Sequence, residues 1–174
     1  DLVEAHLNLG SILKDLGNLK KAELSQRKAI ELKPNLVIAH FNLGNTLKDL
    51  GKLEEAELSF RKAIKLQPNN ASALSNLANI MGDQGNLKEA ESYLRKAIEF
   101  QPNNAIIYCN LGNIMGDQGK LEEAESCLRK AIKLQPNNAL LHYNLGARLI
   151  DIGNLKEAEL STRKAIEFKP DFAE

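Results

Sequence analysis

The side chains of this sequence best suited to chemistry are an asparagine and an aspartate that return every 34 residues. The stretch from Asn42 to Gly51 shows the pattern: the leading Asn, the Leu after it and the Asp two places before the closing Gly recur in every copy. Asn is unfavourable in a helix interior, and Asp near a helix C-terminus faces the negative end of the helix dipole. We therefore expect both residues to serve a purpose other than helix stability.

An Asn side chain both donates and accepts, so it can bind the C=O and N–H of a peptide unit without reading the peptide's side chains. On a helix, Asn42, Asn45 and Asp49 form one stripe at i, i+3 and i+7. Packed helices lie on the order of 10 Å apart, which matches about three residues of extended chain. The candidate peptide-binding residues are a first Asn row of Asn8, Asn42, Asn76, Asn110 and Asn144, a second Asn row of Asn45, Asn79 and Asn113, and an Asp row of Asp15, Asp49, Asp83, Asp117 and Asp151.

Two interpretations of these rows remain open. In the first, the amides of the first Asn row from Asn42 onward project into a groove, largely free of protein partners. In the second, the Asn and Asp side chains bond between neighbouring helices and have a structural role.

Composition excludes several other functions. The 174 residues carry 23 basic and 23 acidic side chains, so a net charge near zero indicates neither a nucleic-acid nor a membrane-surface partner. No apolar run approaches the roughly 20 residues that span a bilayer, and no signal peptide is recognisable. Cys109 and Cys127 are too few for a disulfide framework, which favours free thiols in a reducing, cytoplasmic compartment.

No catalytic constellation, metal site or cofactor motif is predicted, so the chain is not expected to be an enzyme. His6, His40 and His142 share one repeat position, but neighbouring copies lie too far apart to ligate one zinc ion. We expect these histidines to be partly buried replacements for aromatic side chains.

The elements that position the rows follow from regularly spaced prolines and glycines. Each period predicts one helix that begins after Pro-Asn-Asn, with N-caps at Asn70, Asn104 and Asn138, and ends at Gly. A second helix follows at once, with a capping box at Asn86–Glu89, and ends before Pro. Neither helix can bury its apolar stripe alone, so the repeats must stack. One small residue per first helix allows close approach of its paired helix: Gly10, Gly44, Ala78, Gly112 and Gly146.

Leu-Gly in the first helix, Gly-Asn/Lys-Leu-x-x-Ala at the turn, and Ala and Pro in the second helix resemble the tetratricopeptide repeat family. The resemblance covers the chain in five copies and implies an all-α, right-handed superhelical solenoid. We expect one domain over 1–174, with repeats one to five at about 3–36, 37–70, 71–104, 105–138 and 139–172, and a sixth beginning at 173–174. In this family the first helices line the concave surface, which would place the Asn and Asp rows in the groove.

The first Asn row also resembles the asparagine ladder in the repeats of the protein O-linked N-acetylglucosamine transferase, where Asn, with Asp beside it, grips substrate backbones. That resemblance implies a module that binds a protein or peptide in extended conformation, as the substrate-recruiting array of a larger glycosyltransferase-like protein. The alternative is a passive scaffold that assembles partners through its convex surface or open ends.

Two further expectations concern charge and the chain ends. Lys20, Lys88 and Lys156 alternate with Glu54 and Glu122 after the turns, which predicts pairing of Lys20 with Glu54 and of Lys88 with Glu54 or Glu122. Duplication of a two-repeat block would explain the alternation equally well. The end of the chain resembles the opening of a further repeat, so a fragment of a longer array is expected. Exposed Ile166, Phe168 and Phe172 there predict end-to-end self-association.

Overall fold

The computed structural model describes residues 2–169, which form ten α-helices and no strand. Each 34-residue period contributes two consecutive helices, as the spacing of Gly and Pro predicts. The helices are α1 (Leu2–Asp15), α2 (Leu19–Leu32), α3 (Val37–Asp49), α4 (Leu53–Leu66), α5 (Ala71–Asp83), α6 (Leu87–Phe100), α7 (Ala105–Asp117), α8 (Leu121–Leu134), α9 (Ala139–Ile152) and α10 (Leu155–Phe168).

The helix ends follow from local chemistry. Gly119 takes φ +77° after α7, a left-handed conformation that other residues rarely adopt, and Lys120 N–H donates to Met115 O at 2.9 Å to close the helix. The predicted Asn caps are confirmed, because Asn104 Oδ1 accepts from Ile106 N–H at 3.0 Å and Asn70 and Asn138 bond similarly. The capping box at Asn86 is wrong. Asn86 precedes α6 with φ −81° and ψ 52°, and its side chain accepts no helix N–H.

By its packing the chain divides between Ile80 and Met81 into an N-terminal and a C-terminal unit. In the N-terminal unit α1 packs on α2, α3 packs on α4, and α2 also contacts α3. Phe60 and Leu47 are fully buried in this core. A Cβ on Gly44 would lie 2.7 Å from the Phe60 ring, which confirms that a small residue lets the paired helix approach.

In the C-terminal unit α7 packs on α8 and α9 packs on α10, while α7 and α9 contact each other directly. Leu128, Leu145 and Leu149 are buried in one core cluster. A Cβ on Gly112 would lie 2.8 Å from Leu128, the same close approach of a first helix to its paired second helix. This arrangement leaves one face of α7 and α9 outside the core.

The last described turn of α10 exposes apolar side chains. Ile166 is 44% exposed and Phe168 is 38% exposed, as expected from the sequence, while Phe172 lies outside the described residues. No helix in residues 2–169 has the length and apolar character needed to cross a membrane.

Candidate functional site

The predicted stripe lies on the face of the first helices that the core leaves uncovered. In α3, Leu43, Thr46 and Leu47 are buried, whereas Asn42 and Asn45 are half-buried and Asp49 is exposed. The same gradation recurs in α5 and α7. The amides therefore sit at the edge of the core, where a ligand can reach them and neighbouring helices can orient them.

In the N-terminal unit the two Asn rows bond to each other. Asn76 Nδ2 donates to Asn45 Oδ1 at 2.8 Å, which ties α5 to α3. The prediction of amides free of protein partners is therefore wrong for Asn76. Asn45 Nδ2 and Asn76 Oδ1 make no further hydrogen bond within residues 2–169, so this pair still offers one donor and one acceptor. Asn42 has no hydrogen-bond partner in the same described range.

In the C-terminal unit an amide of the first Asn row also contacts the neighbouring first helix. Asn144 Nδ2 on α9 lies 3.1 Å from Cys109 Sγ on α7, a weak acceptor, so the prediction of a free amide is wrong here too. Burial raises the pKa of the Cys109 thiol, while the Asn144 contact lowers it less. The thiol is therefore protonated near neutral pH and serves packing rather than reaction.

The Asp row is exposed throughout but differs in its partners. Asp49 Oδ2 lies 2.8 Å from Lys14 Nζ on α1, which supports the structural interpretation at that position. In the C-terminal unit Arg148 lies 3.2 Å from Asp151 and 3.8 Å from Asp117, so two acids share one base. Neither Lys14 nor Arg148 was predicted from the sequence, since Lys14 shares its repeat position only with Lys48 and Arg148 replaces a residue that is Ile or Thr in the other repeats.

The second helices carry a separate set of charges that joins repeats. Lys20, Glu54, Lys88 and Glu122 form no ion pair within the described range, so the predicted direct salt bridges between them are wrong, and water-bridged approach stays a prediction. Instead the turn lysines reach back to the preceding repeat: Lys52 Nζ lies 2.8 Å from Glu23, and Lys120 Nζ lies 2.8 Å from Glu91. The signal was available, because the same turn position holds Lys in even repeats and Asn in odd ones.

These contacts change how the two glutamates titrate. The hydrogen bond from Lys120 is the main cause that lowers the pKa of Glu91 to about 2, against a smaller opposing effect of burial and with help from Arg95 and Gln118. Burial alone would raise the pKa of Glu23, but hydrogen bonds from Lys52 and Arg27 bring it below its ordinary value. Both carboxylates are therefore charged at neutral pH and tie neighbouring repeats together.

Two of the three histidines are buried and His6 is partly buried, which agrees with the expected replacement of aromatic side chains. His40 and His142 are 9% and 5% exposed, and their Nε2 atoms lie 2.8 and 2.7 Å from the carbonyl oxygens of Pro34 and Pro136. Residues 2–169 contain no group of three His, Cys, Asp or Glu side chains that could hold a metal ion.

Paired helices of this length, repeated with left-handed glycine turns, define an all-helical solenoid. Five family models agree with that class: the description "Tetratricopeptide repeat" matches residues 3–36, 26–57, 69–137 and 109–171, and "TPR repeat" matches 44–85. The chain is an array of tetratricopeptide repeats.

Solved structures share the fold. A structure of MamA from residue 41 to its end, from Desulfovibrio magneticus RS-1, is 22% identical with a TM-score of 0.85 and covers 100% of this chain and 98% of its own. PilF of Pseudomonas aeruginosa is 22% identical with a TM-score of 0.86, covering 96% and 76%. YrrB, described as a TPR protein with an unusual peptide-binding site, is 26% identical with a TM-score of 0.73, covering 97% and 87%. A search of curated proteins returns no match.

Proposed function

We propose that this array binds a protein or peptide segment in extended conformation across the exposed face of its first helices, through the first and second Asn rows. The ligand's backbone, rather than its side chains, supplies most of the hydrogen bonds. The array itself has no catalytic role. In this proposal the rows lie on the concave side, where tetratricopeptide arrays present their first helices.

The contact between Asn76 and Asn45 carries the proposal. One amide orients the other, which leaves Asn45 Nδ2 as a donor and Asn76 Oδ1 as an acceptor in fixed positions at the core edge. A peptide unit presents the complementary pair, C=O and N–H. Because the inter-helix bond holds both amides in place, less side-chain entropy is lost when a ligand binds.

Two similarities support this interpretation. YrrB, a relative in fold at 26% identity, is described as having a peptide-binding site. The first Asn row also resembles the asparagine ladder of the protein O-linked N-acetylglucosamine transferase. On that basis we propose that the array recruits substrates for a glycosyltransferase-like protein. The free thiols of Cys109 and Cys127 favour a reducing compartment such as the cytoplasm.

A titration with an Asn-row variant tests the proposal. Replacement of Asn42, Asn76, Asn110 and Asn144 by Ala should weaken binding of an extended, capped peptide at least tenfold, because each amide contributes a hydrogen bond of about 1 kcal/mol. The matched control replaces the exposed loop residues Asn69, Asn103 and Asn137 by Ala and should bind as the wild type does. Equal affinity of both variants, after correction for folded fraction by circular dichroism, would contradict the proposal.

A second candidate, self-association through the chain's ends, is favoured by one observation. Leu9, Ile12 and Leu16 form an i, i+3, i+7 stripe on α1 and are 46, 56 and 68% exposed. The residue equivalent to Leu9 in α3, Leu43, is only 4% exposed because the preceding repeat covers it. Sedimentation velocity should show concentration-dependent association that Leu9→Ser with Ile12→Ser removes. A monomer at all concentrations would exclude this candidate.

A further inference from the structure

An apolar row runs beside the Asn rows on the first helices. In the C-terminal unit Ile106 is 59% exposed and Leu140 is 48% exposed, so both present apolar surface to solvent. Each lies four residues before a member of the first Asn row, Asn110 or Asn144, and therefore on the same helix face. Ile38 holds the equivalent position in the N-terminal unit, where it is 46% exposed.

The opposite side of the Asn rows is acidic. Asp117 and Asp151 lie seven residues after Asn110 and Asn144, so each helix presents an apolar residue, then amide, then acid along one stripe. Arg148 pairs with both acids at 3.8 and 3.2 Å, which leaves this group of three side chains with one net negative charge. The two flanks of the Asn rows thus differ in polarity.

An extended chain can match both flanks at once. Its C=O and N–H groups lie along one axis and alternate between the two directions of that axis, and its side chains alternate between the two sides at right angles to it. When the backbone amides face the Asn rows, every second side chain points toward Ile106 and Leu140, and the others point toward Asp117 and Asp151.

We propose, on the basis of the function proposed above, that the ligand is an extended segment in which aliphatic residues alternate with polar or basic residues. The Asn rows hold the backbone, whereas the apolar row selects the sequence pattern. Tyr143, 49% exposed and one turn after Leu140, enlarges the apolar flank and accommodates branched or aromatic side chains. A segment that is uniformly polar binds more weakly, and one that is helical cannot present the pattern.

Three capped peptides test this proposal by isothermal titration or fluorescence anisotropy. The first has Leu at every second position, separated by Ser and Lys. The second has the same composition arranged as Leu–Leu pairs, and the third replaces Leu by Thr. The wild type should bind the alternating peptide at least fivefold more tightly than the paired one, and should bind the Thr peptide measurably.

Two double variants test which residues cause the preference for the alternating peptide. Ile106→Ser with Leu140→Ser should abolish the preference for alternation and leave binding of the Thr peptide unchanged. The matched control, Leu24→Ser with Leu160→Ser, removes leucines that are 69 and 62% exposed on second helices and should retain the preference.

The outcomes separate this proposal from the one on which it rests. Equal binding of all three peptides by the wild type would contradict selection of the sequence pattern by the apolar row, but would agree with backbone recognition by the Asn rows. A preference that survives in the Ile106 and Leu140 variant would also overturn it. Failure of every peptide to bind would overturn both proposals.

Discussion

The C-terminal unit contains two consecutive repeat junctions that differ on their second-helix side. Between repeats three and four, Glu91 accepts hydrogen bonds from Lys120 at 2.8 Å, Gln118 at 3.0 Å and Arg95 at 2.8 Å. Between repeats four and five the equivalent Glu125 accepts only from Arg129, at 2.7 Å, among the contacts described. The turn residue there is Asn154, which donates to Glu157 in its own repeat at 3.0 Å.

The first-helix side of the same two junctions differs as well. Ile114 from repeat four packs over Gly82, whereas Arg148 from repeat five packs over Gly116. Ile114 is 6% exposed, but Arg148 keeps its guanidinium near Asp117 and Asp151 and leaves its Nε buried without a partner within residues 2–169. The first helices of repeats four and five therefore meet through a more polar surface, while Arg129 and Glu157 join the second helices of the same repeats at 2.5 Å.

The difference on the second-helix side follows the two-repeat period of the turn residue. Lys52 and Lys120 contact Glu23 and Glu91 in the preceding odd repeats, so this contact follows the two-repeat period of the turn residue. The charge alternation is thus realised at the turns rather than at Lys20 and Glu54. Exposed ion pairs contribute little to stability, but Glu91, with several donors and a side chain only 14% exposed, should contribute more.

The largest difference in stability between the two junctions is expected when a larger side chain replaces each of the two glycines. Gly82→Val should lower the free energy of unfolding by about 2 kcal/mol, since its side chain would overlap the buried Ile114. Gly116→Val should cost less than about 1 kcal/mol, because Arg148 can swing toward solvent. Urea denaturation followed by circular dichroism measures both. Equal losses would show that Arg148 is held as firmly as Ile114.

The second largest difference in stability between the two junctions is expected when the charges of the two glutamates are removed. Glu91→Gln is expected to cost about 1–2 kcal/mol, because Lys120 and Arg95 lose a shared partner, whereas Glu125→Gln should cost about 0.5 kcal/mol. The same urea experiment reports the difference. Equal costs would mean that the extra donors at Glu91 add no stability.

The pH dependence follows from the pKa of Glu91. That pKa is about 2 in the folded chain and 4.5 otherwise, so the folded state favours the carboxylate and gains stability above pH 4.5. This stability, about 1 kcal/mol after allowance for the exposed partners, is lost as pH falls toward 2.

Thermal unfolding between pH 5 and 2 should therefore show a weaker pH dependence for Glu91→Gln than for the wild type. Glu99→Gln, an exposed site on the same helix, serves as the control and should keep the wild-type dependence. Identical slopes for all three proteins would exclude Glu91 as a source of acid sensitivity.

The smallest effect is expected from transferring the turn lysine. Asn154→Lys gives repeat five the residue that Lys120 supplies in repeat four, and should pair with Glu125. The gain should be about 0.5 kcal/mol, reduced by the lost bond from Asn154 to Glu157. High-resolution denaturation curves with and without 0.5 M salt measure it, since salt should remove the gain. A salt-independent change would point to helix capping instead.

The sequence predicts the helices well because their signals are local. Each first helix stops within two residues of its left-handed Gly, and the Asn104 cap depends only on residues two positions away. The capping box at Asn86 is wrong, since Asn86 has a ψ of 52° instead of the extended conformation typical of an N-cap, and its side chain accepts no helix N–H.

Side-chain partners were predicted less well because they depend on how repeats stack. Asn45 and Asn76 are 31 residues apart, and Lys52 and Glu23 are 29 apart, so their contacts follow from the angle between helices rather than from spacing. The face that carries the Asn and Asp rows was predicted from helical periodicity. Binding of peptide backbones by that face stays a prediction.

A peptide with N-methylated backbone tests that central claim most directly, because methylation removes N–H donors and leaves every side chain in place. The measurement is a titration of the wild type and of the Asn42, Asn76, Asn110 and Asn144→Ala variant with one extended peptide and its counterpart methylated at alternate residues. Methylation should weaken binding to the wild type at least tenfold and change binding to the variant less than twofold. An equal loss in both proteins, or none in the wild type, would contradict backbone recognition by the Asn rows.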